Sequence, residues 1–137
     1  MRGWLGTLRD DARGAAIIEL AVLGPFLFAI LLGIVEVGRM FYVRQALEYA
    51  TEEAARYYML NPTADSTAVT TFLQGKMAGG MGNSVTVGYT HTTSCNGNSA
   101  VTCTAITASY TFVSVATYLR LGSPLLRARA QAVRYPV

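Results

Sequence analysis

From Ala15 to Val35 the chain runs for twenty-one residues with a single charge, Glu19. As a helix rising about 1.5 Å per residue, this run is long enough to cross a hydrocarbon core of ~30 Å. Before it, Arg2, Arg9 and Arg13 stand against Asp10 and Asp11. The excess of arginine predicts a cytoplasmic N-terminus, with everything after Val35 exported. A secretory signal has an apolar core of roughly 7–15 residues followed by an Ala-x-Ala cleavage pattern. Here the run is longer, it ends in Ile34-Val35-Glu36, and no cysteine lies near it to make a lipoprotein box. The natural cut lies ahead of the run, after the small residue Gly14. Cleavage there would free Ala15, leave the apolar helix on the product and put Glu19 at the fifth position.

The stretch Arg13-Gly14-Ala15-Ala16-Ile17-Ile18-Glu19-Leu20-Ala21, then Pro25, then Leu32-Gly33-Ile34-Val35-Glu36-Val37-Gly38-Arg39 and Arg44-Gln45-Ala46-Leu47 resembles the TadE-like family. These are minor pilins, or pseudopilins, of tight-adherence (Flp) type IV pili. The resemblance covers roughly the first sixty residues. It implies that Gly14–Ala15 is the processing site of a prepilin peptidase. It also implies partners: other pilin subunits, a pilus assembly platform and membrane lipid. And it gives Glu19 a role. A carboxylate within an apolar run costs a few kcal/mol unless it is paired or near the interface. Headgroups and the helix dipole alone could accommodate it. The resemblance implies instead that Glu19 of one subunit pairs with the freed Ala15 ammonium of a neighbour, a burial that selects register more than it adds stability.

Gly24-Pro25 falls near the middle of the run. Proline removes a backbone donor and clashes with the preceding turn, so a kink is expected there, either incidental or useful for bending within a helical array. Ala29 and Gly33 form a small-x-x-x-small pair, a weak signal for close helix approach in lipid.

The helical pattern does not stop at Val35. Val37, Met40, Phe41, Leu47, Ala50, Ala54 and Tyr57 or Tyr58 recur at three- and four-residue intervals, which predicts one helix from Ala15 to Leu60 with an apolar stripe on its outer half. Glu36, Arg39, Gln45, Glu48, Glu52, Glu53 and Arg56 are expected on the solvent face. Asn61-Pro62 ends the element. Asp65 or Ser66 then caps a short helix bearing Val69, Phe72, Leu73, Lys76 and Met77. Ala78-Gly79-Gly80-Met81-Gly82-Asn83 reads as a flexible connector.

The remainder alternates with the period of strands. Val85, Val87 and Tyr89 form one apolar face. Ile106, Ala108, Tyr110 and Phe112 form a second. Leu126, Ala128, Ala130 and Ala132, against Arg127, Arg129 and Gln131, form a third. Such alternation predicts an antiparallel sheet covered on one side, here by the outer half of the long helix. Tyr118 to Pro124 is expected to join the second strand to the third. Cys95 and Cys103, flanking Asn96-Gly97-Asn98-Ser99, are expected to form a disulfide in an exported domain. Closing so short a loop stabilises by about 2.5 kcal/mol in the chain-entropy model.

The expected fold class is therefore α+β, type IV pilin-like: a long N-terminal helix packed by a small antiparallel sheet. The expected organisation is a cytoplasmic leader over 1–14, a transmembrane helix over 15–35, an exported helical extension over 36–60 and a small globular domain over 61–137. The chain is expected to sit in the inner membrane as a single-pass protein, and in an extracellular pilus after assembly. A net charge of +3, scattered along the chain, gives no basis for nucleic-acid binding. No nucleophile–base–orienter set is visible, and the glycine-rich connector lacks the lysine of a phosphate cradle. Two cysteines and His91 do not meet the ligand count of a metal site. The expectation is a structural protein with no enzymatic activity, no cofactor and no small-molecule substrate, serving as a minor pilin in adhesion-related assembly. The alternative is an uncleaved single-pass protein whose exported domain binds or scaffolds a partner.

Overall fold

The structure is a computed structural model that describes residues 12–92, 94, 95, 97, 100–115 and 122–135. Most of the leader, including Arg2 and Arg9, lies outside the described residues, as does most of the turn Asn96–Ser99 and of the connection Tyr118–Pro124.

One helix dominates. α1 spans Ala12–Leu60 without interruption, 49 residues with Pro25 inside it, or ~73 Å at the usual rise. Its described residues begin at Ala12, three before Ala15, in keeping with the helix propensity of Ala12 and Arg13. It ends where the sequence predicts. Asn61 turns its backbone N–H and its side-chain amide back onto the Tyr57 carbonyl, at 3.1 and 2.8 Å, and Pro62 cannot continue the ladder.

α2 spans Ser66–Lys76. Asp65 is its cap, its carboxylate accepting the Ala68 N–H at 2.7 Å and satisfying an otherwise orphaned donor. α2 buries Val69 and Leu73 and stacks Phe72 on Tyr57 of α1, ring centroids 4.4 Å apart. The glycine-rich stretch after it is a structured turn rather than a loose connector. Ala78–Ser84 is made of 3-10 turns joined across a kink, where Gly79 and Gly80 adopt φ of 68° and 75°, a region costly for residues with a Cβ. A Cβ at Gly82 would overlap the Gln74 carbonyl oxygen.

Among the described residues, three strands form one antiparallel sheet in the order β1-β2-β3. They are β1 (Val85–Thr92), β2 (Thr102–Thr111) and β3 (Leu125–Arg134). Val87 faces Ala108, Ile106 faces Ala130 and Ala108 faces Ala128. The apolar faces read from the alternation are the ones that turn inward. Ile106, Ala108, Leu126, Ala128 and Ala132 join Val43, Leu47, Ala50, Ala54, Val69 and Leu73 in one core. Alanines at 50, 54 and 55 of α1 and at 128 and 132 of β3 let helix and sheet approach closely. The central strand departs from simple alternation. Cys103 and Ala105 are also buried, since small side chains on the outer face are shaded by the flanking strands, Ala105 by Thr90 and Gln131. The fold is thus α+β, a long N-terminal helix packed against a small antiparallel sheet.

Candidate functional site

α1 divides into two physically different lengths. In the first, every large apolar side chain is bare. Ile17, Leu20, Phe26 and Phe28 are each 67–69% exposed, and Ile34 and Val35 nearly as much. This length meets the hydropathy and size of a membrane span, and none of its most apolar window is buried within the chain. Glu19 is exposed here and makes no hydrogen bond or ion pair with another described residue. Gly14 lies in the first turns of α1. Gly24 and Gly33 face open space, where an added Cβ would meet nothing within 4 Å. The expected sites on this half are therefore not drawn together by the chain itself. Among the described residues, Glu19 has no polar partner and Gly24 and Gly33 have no close neighbour.

The second length is covered by the domain, and its boundary is marked by a residue that the sequence pattern misplaces. Glu36, expected on the solvent face, is 6% exposed, while Val37 and Phe41, expected in the stripe, are 45% and 52% exposed. The helix is rotated so that its acid, not its valine, meets the end of the sheet. The reason is hydrogen bonding. The Glu36 carboxylate accepts the Val115 backbone N–H at 2.8 Å and two bonds from the Arg39 guanidinium at 2.9 and 3.2 Å. Arg39 in turn donates to the Val113 carbonyl and stacks over Phe112, 4.4 Å from the ring centroid. The Arg39 bonds, with further lowering from the buried Ser114 hydroxyl and the Val115 N–H, hold the Glu36 pKa down at about 2, against an ordinary 4.5. Burial opposes this and is outweighed. The Ser114 hydroxyl lies beside the carboxylate without a well-aligned hydrogen bond of its own.

A second arginine closes the far end. Arg134, at the end of β3, donates to the Tyr58 carbonyl at 3.0 and 2.6 Å and to the Asn61 carbonyl at 2.5 Å, and lies 3.5 Å over the Tyr58 ring. The Tyr58 carbonyl is an orphan of the helix C-terminus, where a cation is favoured, while the Asn61 carbonyl also accepts the Ala64 N–H at 3.0 Å. Nearby, the His91 ring bonds the buried Thr104 hydroxyl at 2.9 Å, which reaches the Tyr58 hydroxyl at 3.5 Å. The structure pairs Cys95 with Cys103, Cα atoms 5.6 Å apart, at this same end.

Sequence reasoning missed Arg134 and the Val113–Val115 segment because both act through backbone groups across more than seventy residues, and no local pattern encodes that. A partial signal existed for Glu36: an acid at the last turn of an apolar run, with Arg39 one turn on.

Residues 14–56 match the family model described as TadE-like protein, as the motif resemblance anticipated. The matched span begins at Gly14, includes Glu19 and the Glu36–Arg39 pair, and stops before the sheet. No curated protein and no solved structure matches the chain. The match supports a place in the tight-adherence pilus system.

Proposed function

We propose that this chain, TadE-like over residues 14–56, is a minor pilin or pseudopilin subunit that takes part in building the tip or base of a tight-adherence (Flp) pilus. The observation that carries this reading is the two-part helix. A bare apolar length is continuous with a length that carries its own folded domain, which is the shape of a subunit anchored by one length of a helix and displayed by the other. In this reading residues 1–14 are a leader, 15–35 cross the inner membrane with the N-terminus cytoplasmic, 36–60 extend the helix outward and 61–137 form the exported domain. A prepilin peptidase removes the leader after Gly14. The freed Ala15 ammonium of one subunit then pairs with Glu19 of its neighbour, and a bend at Gly24-Pro25 lets the helix fit the array. The Cys95–Cys103 bond forms after export.

Intact mass of the protein purified from its host tests the processing step: a mass beginning at Ala15 is expected. A mass beginning at Met1 would instead support an uncleaved anchor whose exported domain binds or scaffolds a partner. A Glu19→Ala variant tests the pairing. It should still reach the membrane yet be depleted several-fold from sheared pilus fractions, and normal incorporation would remove the pairing role.

A further inference from the structure

We infer that the helix-proximal end of the globular domain is a membrane-resting foot: the segment carrying Val113 and Val115, with Leu125, seats on the outer-leaflet surface around α1. This rests on the membrane-spanning reading of residues 15–35.

The placement follows from the Glu36 network. Glu36 is the first residue after the bare apolar length. Its carboxylate binds the Val115 N–H, and Arg39, one turn on, binds the Val113 carbonyl. These two contacts fix the 112–115 segment within about one helical turn, or ~5 Å along the axis, of the end of the span. The polar groups of the segment are turned inward. Its valine side chains are turned out: Val113 is 63% and Val115 74% exposed. Leu125, opposite Thr111 at the same end of the sheet, is 50% exposed.

Beside them, an apolar recess of about 200 Å³ opens between Val37, Met40, Phe112 and Pro124. Outward-facing apolar side chains at the lip of an aqueous domain are disfavoured in water. Here they sit at the depth where the surrounding medium changes from hydrocarbon to headgroup. The occupant is lipid because the patch is continuous with a helix surface that lipid already covers. A loose tether would leave the domain free to tumble above the membrane. The foot instead sets its tilt and keeps its far end, with Arg134 and the disulfide, pointing away from the bilayer.

Single-tryptophan quenching tests this in the full chain, with the native tryptophan removed by Trp4→Phe. The protein is reconstituted into phosphatidylethanolamine–phosphatidylglycerol vesicles, one set with acyl chains brominated near the headgroup, to read Val115→Trp and Thr63→Trp, and one set brominated at mid-chain, to read Phe28→Trp. Three probes are compared: Val115→Trp at the foot, Phe28→Trp within the span and Thr63→Trp at the far end of the domain. The expected result is strong quenching of Val115→Trp, several-fold above Thr63→Trp. If Phe28→Trp is quenched but Val115→Trp behaves like Thr63→Trp, the foot is wrong and the membrane span stands. If Phe28→Trp is also unquenched, the spanning reading fails and takes the foot with it. If Val115→Trp is shielded from bromine until the protein is diluted in excess lipid, a second copy covers the patch, and the lipid assignment is overturned.

Discussion

The two lengths of α1 share one backbone, yet they solve opposite problems. Over 16–35 Ile, Leu, Phe and Val side chains lie on all sides, and each of them is exposed. Over 43–55 the inward positions are Val43, Leu47, Ala50, Thr51, Ala54 and Ala55, each 3% exposed or less. The covered half uses alanines because a sheet must come close. The bare half carries large apolar side chains on every side, as suits a helix that meets fluid hydrocarbon. A helix that is apolar on every side is buried in a large core or in a membrane, and this chain offers no core to its first half. The covered half has only one apolar face and gains its stability from tertiary packing. The domain therefore folds against a helix that it does not need to extend into the membrane, and the membrane half gains nothing from the domain except orientation.

The sharpest way to break that contrast is to make the same change in each half. Leu47 is fully buried in the core. Leu47→Ala removes its packing and leaves a cavity, for a loss of about 3 kcal/mol, read as a lower denaturation temperature of the domain in detergent or bilayer. Leu27 is 56% exposed and lies outside the buried core of the described residues. Leu27→Ala should leave that temperature unchanged. Equal losses would mean that the bare half is part of the folding unit after all.

A smaller effect sharpens where the covered half ends. Arg134→Ala removes charge-assisted bonds to the Tyr58 and Asn61 carbonyls and the stacking on Tyr58. The expected cost is about 2 kcal/mol, with the amides of the last helical turn losing hydrogen-exchange protection first. Arg134→Lys should recover only part of this, because a point ammonium cannot fork to two carbonyls while lying flat on a ring. A loss spread evenly over the domain would show that the helix end is held by the core and not by this clamp.

Which parts were legible in the sequence follows from what each part depends on. The three strands were readable because Val85, Val87 and Tyr89, or Leu126, Ala128 and Ala132, alternate cleanly, and burial on one sheet face enforces that period. The helix length and its stop at Asn61-Pro62 were readable for the same local reasons. The rotation of α1 was not. Periodicity alone put Val37 and Phe41 inside and Glu36 outside, but the end of the sheet presents a backbone N–H and a carbonyl, and an acid–arginine pair satisfies both. Apolar surface could not have done so. The glycine connector was misread as loose because the reason for Gly82, contact with the Gln74 carbonyl, is tertiary. The residues proposed for processing and pairing, Gly14, Ala15 and Glu19, are legible only as a motif, since the physics proposed for them lies between molecules.

The most local effect lies at the boundary between the halves, and it is a pH effect. The folded Glu36 pKa is about 2, against 4.5 for the free group. A depressed carboxylate contributes stability that is fully present above the unfolded pKa and is lost as pH falls through the folded one. Between pH 4.5 and about 2 the unfolded junction binds more protons than the folded one, so docking of the 112–115 segment weakens progressively across that window. The Val115 amide, which donates to Glu36, reports on this directly. In micelles its proton resonance should shift with a midpoint near 2, while the Phe112 amide, which donates to the Pro124 carbonyl at 3.0 Å, should not follow it. Glu36→Gln removes the titration and should leave the Val115 resonance flat through the window. A midpoint near 4.5 in the unaltered chain would mean that the carboxylate is not held by Arg39 and the backbone, and that the domain hangs from the helix by its core alone.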